Sequence, residues 1–458
     1  MEPVLIALAR LVAGTSEEAF PVAVRDRAAL VVADSVGAIL AGAQEPEVRR
    51  LHAGADRAAG PATVLRDGFP RVEPWWAITA NGLAGTMLEL DEGNRFARGH
   101  PAIHVFPAAL AEAERLGRPG SALLPAMIVG YDVASRLGGG APIRSGMHMH
   151  GVHGAVGAAA AVARLRELDE DLTARTLGVA AGLTLGTSWR TALGGATVRN
   201  AYAGVSGASG WLAADLAMAG ITPLPDMLSE IFGRISGSGF DAAAILDGVG
   251  ERFEISRNYF KRYACCRYNH PAVEALEEIL AEAPIAPDRI DSIRVATSAL
   301  GATMSDRDPT GPLGAKFSIP YSLAVRLVLG GWDDDCGVEA FREPALSDLR
   351  VRALAQRVEV VEDPVLTALT PRARPARVEV RLTDGRVLAR QVDQPSGEFD
   401  RPYSEAALRE KFVGLTGGSF GPQGAGAAWD LCRRVGELKS ARELTDGLRA
   451  LALARRPH

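Results

Sequence analysis

Over about its first 258 residues the chain repeats one pattern, an Ala/Leu-rich run with apolar residues three and four apart, mostly closed by glycine. "DRAALVVADSVGAILAG", "ITANGLAGTMLEL", "FPAALAEAERLG" and "ASGWLAADLAMAG" carry the spacing, and most of them stop at glycine. That spacing lines one face of a 3.6-residue helix. Glycine ends helices because it enters the left-handed region without a Cβ clash. The stretch therefore predicts a set of packed helices, and its abundance of Gly and Ala predicts that they approach one another closely.

After about residue 260 the period changes to two. "DRIDSIRVATS" and "QRVEVVEDP" alternate β-branched residues, and "ARVEVRLTDGRVLARQVD" is two alternating runs about Asp384-Gly385, a hairpin signal. "SEAALREKFVGL", with Ser404 as N-cap, and "WDLCRRVGELKSARELTDGLRALALARR" return to helical spacing. A smaller α+β domain is expected after the helical one, as 458 residues exceed what one core usually serves. Periodicity leaves open whether the last helices rejoin the first.

The net charge of −5 is mild and both signs are interleaved. With no basic stripe, neither nucleic acid nor an anionic membrane is an expected partner, which leaves a small molecule. No run of ~20 uncharged apolar residues occurs, and "MEPVLIALARLVAGT" lacks a basic start and carries Arg10, so neither a membrane span nor export is expected. Cys265, Cys266, Cys336 and Cys432 form neither a disulfide framework nor paired CxxC zinc motifs, which points to a reducing cytoplasm.

Five of the eight histidines fall between positions 100 and 153. His148, His150 and His153 do not converge as metal ligands, because at ~100° per residue they fan across a helix and on a strand the third points away. No H-E-x-x-H occurs, and no acid lies between Arg144 and Arg164, so no metal is expected. His104, His150 and His153 suit helix caps or satisfied core imidazoles. His100 and His148 sit in loops just ahead of helices, where a side chain faces a cavity, and are the better acid-base candidates. "LELDEGN" places Glu89, Asp91 and Glu92 shortly before His100, and a carboxylate there orients an imidazole for proton abstraction, although Glu92 equally suits a charged helix end.

"FKRYACCRYNHPAVEALEEIL" sets Lys261, Arg262, Arg267 and His270 beside Cys265 and Cys266 where the texture changes and a cleft would form. The thiols read as pocket lining, since no Cys-His-Asn signature surrounds them. "GGSFG" at 417–421 matches a nucleophile elbow by letter only, because Pro422 follows it and no strand precedes it. "RLGGGAP" and "GPLGAKFS" are not phosphate-binding loops, so no cofactor is expected. Imidazoles, carboxylates, a lysine and arginines remain, a set suited to taking a proton next to a carboxylate.

In order and spacing, "LELDEGNRFARGHPAIHVFPAALAEAERLG", "VGYDVASRLG", "GMHMHGVHGAVGAAAAVARL", "VRNAYAGVSGASGWLAADLAMAG", "FKRYACCRYNH", "KFSIPYSLAVRLVLGG" and "RPYSEAALREKF" resemble the MmgE/PrpD family, over about residues 20 to 415. That family includes 2-methylcitrate dehydratases, cis-aconitate decarboxylases and iminodisuccinate epimerases. The resemblance implies a mainly α fold: a large all-helical domain from both chain ends (1–258 and 396–458), a smaller inserted α+β lid (259–395), and a homodimer without metal or nucleotide.

Residue by residue, the resemblance marks His100, His148 and Lys261 as catalytic, and Glu89, Asp91, Arg199, Tyr202, Cys266, His270 and Tyr321 as substrate-binding. Arg199 stands where the best-known members have lysine, and Tyr202 where they have histidine. Arginine is no base, so position 199 is expected to bind a substrate carboxylate, with His100 as base and His148 or Lys261 as acid. The implied function is a dehydratase-like lyase on a small di- or tricarboxylate. The alternatives are an epimerase, a decarboxylase, or a carboxylate-binding paralogue without turnover.

Overall fold

The computed structural model describes residues 1–54, 58–330, 332 and 336–455. The chain is mainly helical with a small α+β part. Helices α1 (Pro3–Gly14), α2 (Val22–Gly42), α3 (Pro74–Thr86), α4 (Ala102–Leu116), α5 (Gly120–Gly140), α6 (Gly154–Leu165), α7 (Glu170–Gly182) and α8 (Ala201–Met218) make up the first half. α6 lies at its centre, packed against α4, α5, α7 and α8. Its sequence "GAVGAAAAVARL" permits this, since no side chain before Arg164 is larger than Val and every residue from Gly154 to Ala163 is buried.

Glycines set the helix spacing. A Cβ on Gly130 of α5 would stand 2.7 Å from the carbonyl oxygen of Gly157 in α6, and one on Gly82 of α3 would stand 2.5 Å from Gly204 Cα in α8. These crossings are backbone on backbone, closer than any larger residue allows.

The α+β part contains α9 (His270–Glu282), α10 (Ile319–Leu329) and four strands, β1 (Ile290–Thr297), β2 (Val358–Glu362), β3 (Ala376–Leu382) and β4 (Val387–Val392), in the order β2-β1-β3-β4. β1 and β2 run parallel, joined by a long crossover through α10, and the other pairs are antiparallel. β3 buries Ala376, Val378, Val380 and Leu382 at period two, and α9 packs across β3 and β4. The hairpin turns at Asp384-Gly385, where Gly385 takes φ 89°.

α11 (Glu405–Arg433) and α12 (Ala441–Ala454) then return to the first helices. Ser404 caps α11, its side chain accepting from the Ala407 N–H at 3.2 Å. Phe412 lies against Gly37 of α2, and the buried Lys411 ammonium donates to Asp34 Oδ1 at 2.6 Å and to the Leu90 carbonyl at 2.8 Å. A buried lysine needs such a partner, and this one fastens the chain end to the front of the molecule. "GGSFG" lies inside α11, which breaks at Gly421 (φ 72°) before Pro422. Two short ladders escape periodicity: Ala59–Thr63 with Arg71–Val72, and Gly93–Asn94 with Asn258–Tyr259. Among the described residues, no single helix is long and apolar enough to cross a membrane.

Candidate active site

A cavity of about 470 Å³ opens where the loops before α4 and α6 and the turn before α8 meet the segments around Tyr259–Tyr268, Ser298–Thr303 and Thr367–Arg374. Glu89, His100, His148, Arg199 and Cys266 line it. Asp91 and Lys261 lie behind that lining, in contact with it. Tyr202, His270 and Tyr321 are not part of the lining.

The loop from Met87 to Arg98 is under backbone strain: Glu89 and Arg98 both take φ 56°, a left-handed conformation that costs such residues ~1 kcal/mol or more. Surrounding groups hold it there. Lys316 Nζ donates to the Met87 carbonyl at 2.9 Å, Lys411 holds Leu90, and Gly93–Asn94 pairs with Asn258–Tyr259. Glu92 Oε1 accepts from the Ala102 N–H at the start of α4, and Oε2 accepts from the Tyr131 hydroxyl, each at 2.8 Å. Burial pushes the Glu92 carboxyl up to about 8, and the same cause brings the Lys316 ammonium down to about 8.

His100 Nδ1 lies 2.7 Å from the Glu92 carbonyl, an acceptor only, so this nitrogen carries the proton. The same nitrogen lies 3.1 Å from Asp91 Oδ2. Nε2 is left as the basic position on a ring that lines the cavity. Burial would raise Asp91, but His100, Lys261 and Arg199 overcome it and hold Asp91 well below the usual carboxylate range. Burial would likewise lower Lys261; Asp91 at 3.5 Å and Glu89 at 3.4 Å outweigh it and keep the group an ammonium. Glu89 also forms an ion pair with Arg199 Nη1. Arg199 Nε donates to His148 Nε2 at 3.2 Å and Nη1 to Asn200 Oδ1 at 3.2 Å, while the guanidinium rests over Phe317. Among the described residues the side-chain hydrogen bonds of Arg199 come from Nε and Nη1, and none comes from Nη2.

Four imidazoles crowd together here, with the His150 ring 4.8 Å from His100, 5.3 Å from His104 and 5.0 Å from His148. His148 has a donor group near each nitrogen, the His150 N–H at Nδ1 (3.0 Å) and Arg199 at Nε2 (3.2 Å), and as a neutral imidazole it accepts from one of the two. Burial and then Arg199 drive its affinity for a second proton far below normal, so it is a poor proton donor. His104 donates from Nδ1 to the His100 carbonyl at 2.9 Å and accepts from the Gly151 N–H at 3.2 Å, tying α4 to the next loop. His153 packs on Phe232. Burial lowers both His104 and His153 to about 4.

Tyr202 stands beside the ring of His148, at 6.2 Å. His270 accepts from Arg267 Nη1 at 3.1 Å, so it touches the cavity through that arginine. The Tyr321 hydroxyl donates to the Ala340 carbonyl at 2.8 Å. Burial pushes the Cys266 thiol up to about 11, which suits lining rather than attack. Asp91, His100 and His150 are close enough to be considered as cation ligands. An ammonium already beside Asp91 and the occupied Nδ1 of His100 make them a poor cation site.

Sequence reasoning passed over Trp189, Arg98, Arg144 and Arg374. Trp189 stacks on His148 at 5.4 Å; Arg98 lies within the stretch before His100 but at no marked position, and Arg144 and Arg374 lie in stretches with no motif. Together Arg95, Arg98, Arg144, Arg199, Arg267 and Arg374 line the cavity, against Glu89 as its one lining carboxylate among the described residues. An anion is the ligand such a wall favours.

Residues 6–237 match the MmgE/PrpD N-terminal domain and residues 263–434 the MmgE/PrpD C-terminal domain. The chain is similar to a cis-aconitate decarboxylase of Aspergillus terreus, 25% identical over 427 residues that cover 87% of this chain and 86% of the relative. A cis-aconitate decarboxylase of Aspergillus terreus strain NIH 2624 / FGSC A1156 matches with the same identity and coverage. Both halves of the chain thus carry the same signature, in order, and the protein belongs to the MmgE/PrpD family.

Proposed function

We propose that this protein is a lyase acting on a small di- or tricarboxylate, with His100 moving the proton on the carbon next to a carboxylate. The observation that carries this reading is His100 itself: Nδ1 is committed to the Glu92 carbonyl beside Asp91, and the ring faces an arginine-lined cavity. Asp91 steadies the imidazolium formed when Nε2 takes a proton, and Arg199 Nη2 holds the carboxylate on which enolate charge develops. Lys261 keeps Glu89 and Asp91 charged and in place rather than meeting the substrate. His148 orients Arg199.

In the dehydratase form of the reaction, His100 takes the α-proton and returns it to the departing β-hydroxyl, so both leave from one face. Decarboxylation is a second reading, favoured by the named activity of the two relatives. There the enolate forms by loss of CO₂, and protonated His100 delivers one proton to carbon. An epimerase would need a second proton-bearing group on the opposite face.

The test is turnover of C4 to C7 hydroxy-, imino- and unsaturated polycarboxylates followed by NMR in D₂O. Dehydration yields an alkene, decarboxylation places deuterium only in product, and epimerisation washes it into unreacted substrate. His100→Ala is expected to lower kcat ~10²- to 10⁴-fold with the fold intact. Full activity in that variant would end the assignment.

A further inference from the structure

On the α+β side of the cavity, Arg374 is 5% exposed, and its Nη1 is buried without a hydrogen-bond partner. Its guanidinium carbon sits 4.8 Å from the Tyr259 ring centre and 5.2 Å from that of Tyr268, so two aromatic rings flank it. The nearest acid is Glu398, whose Oε1 lies 3.8 Å from Nη1, beyond hydrogen-bond reach. That carboxylate is already engaged by Arg267 at 3.2 Å and by Arg95 at 3.4 Å. Three guanidiniums thus share Glu398, with Asp400 paired to Arg95 alone at 2.6 Å. Tyr259 also engages the Arg374 side chain, so Nη1 is the atom left without an acceptor, and a buried guanidinium N–H without one is costly unless a ligand completes it. Tyr259 also presents its ring to His100, edge-on at 6.2 Å, so Arg374 and the reacting imidazole border one space from two sides.

We propose that Arg374 binds the substrate carboxylate farthest from His100, and so selects acids carrying a carboxylate at each end. This rests on the reading of the cavity as a polycarboxylate site, and it assigns the two ends different tasks. Arg199 holds the carboxylate beside the reacting carbon, and Arg374 holds the distal one. A planar fork matches a carboxylate with two parallel bonds, and the flanking tyrosines keep that fork from swinging to Glu398.

Calorimetric titration with two probes tests it: propane-1,2,3-tricarboxylate, and 2-ethylsuccinate, in which a methyl replaces one terminal carboxylate. The native protein should bind the triacid about 10- to 100-fold more tightly, the size expected for a charge-assisted pair. Arg374→Met should bind both probes about equally. Arg374→Lys keeps the charge beside Glu398 and guards against a folding defect, and it should retain part of the preference. Native protein without the preference, or Arg374→Met with the native ratio, overturns the proposal. His100→Ala should keep the native ratio. Because the readout is binding, failure to turn over any acid would count against the lyase reading and leave this one standing or falling on the ratio.

Discussion

Lys261 is fully buried between Glu89 and Asp91, which fixes what its loss would do. Lys261→Met takes one cationic partner from each of two buried carboxylates, leaving Glu89 to Arg199 and Asp91 to His100, and is expected to cost roughly 3 kcal/mol of stability, read from urea unfolding; a variant as stable as the native chain would refute the ion network. His104 and His153 contribute to the acid sensitivity of the fold, beside His148, His150 and His270, which burial pushes lower still. The first two bind protons near 4 when folded, against 6.5 in the unfolded chain, so below 6.5 the unfolded state takes up more protons and stability rises with pH. It should be intact above 6.5 and fall progressively toward 4. His153→Gln should flatten that fall by up to about 3 kcal/mol, measured as unfolding free energy against pH. His100 and His148 were visible in the sequence because each stands just before a helix. Arg374 was not, because "TPRARPA" reads as a solvated loop until the fold buries it against two tyrosines.

Helix contact in this protein is set by glycine, and two substitutions of opposite sign follow. Gly82→Val places side-chain atoms where Gly204 Cα stands 2.5 Å from the Cβ position, and should destabilise by about 1–3 kcal/mol or more. Gly417→Ala in α11 meets nothing within 4 Å and should stabilise by about 0.5–1 kcal/mol through helix propensity. Denaturation midpoints of the two variants check the pair, and equal shifts would contradict it. The long elements were legible because period 3.6 or 2 persists over many residues, as in α6 and in the β3-β4 hairpin. The ladder joining Gly93–Asn94 to Asn258–Tyr259 was not, because two residues carry no period and their partners lie far along the chain.

For the molecule as a whole, the mouth of the cavity presents Arg98 and Arg144, both exposed and neither in an ion pair among the described residues. Such cations draw an anionic substrate inward. The double variant Arg98→Ser/Arg144→Ser should lower kcat/KM about tenfold at low ionic strength and much less at high salt, where the Debye length contracts; a loss independent of salt would assign these residues another role. Family resemblance was available from motif order, as were the helical class and the period change near residue 260, because these depend on residue types at short separations. Proximity was not available. That Arg199 is half-spent on Glu89 and His148, that Lys261 stands behind the lining, and that Tyr321 bonds to Ala340 all depend on where distant segments come to rest. Sequence names the groups that can move a proton. Burial and the partners within about 3 Å decide which of them is free to do so, because each neighbouring donor or charge sets the protonation state in which a side chain is held.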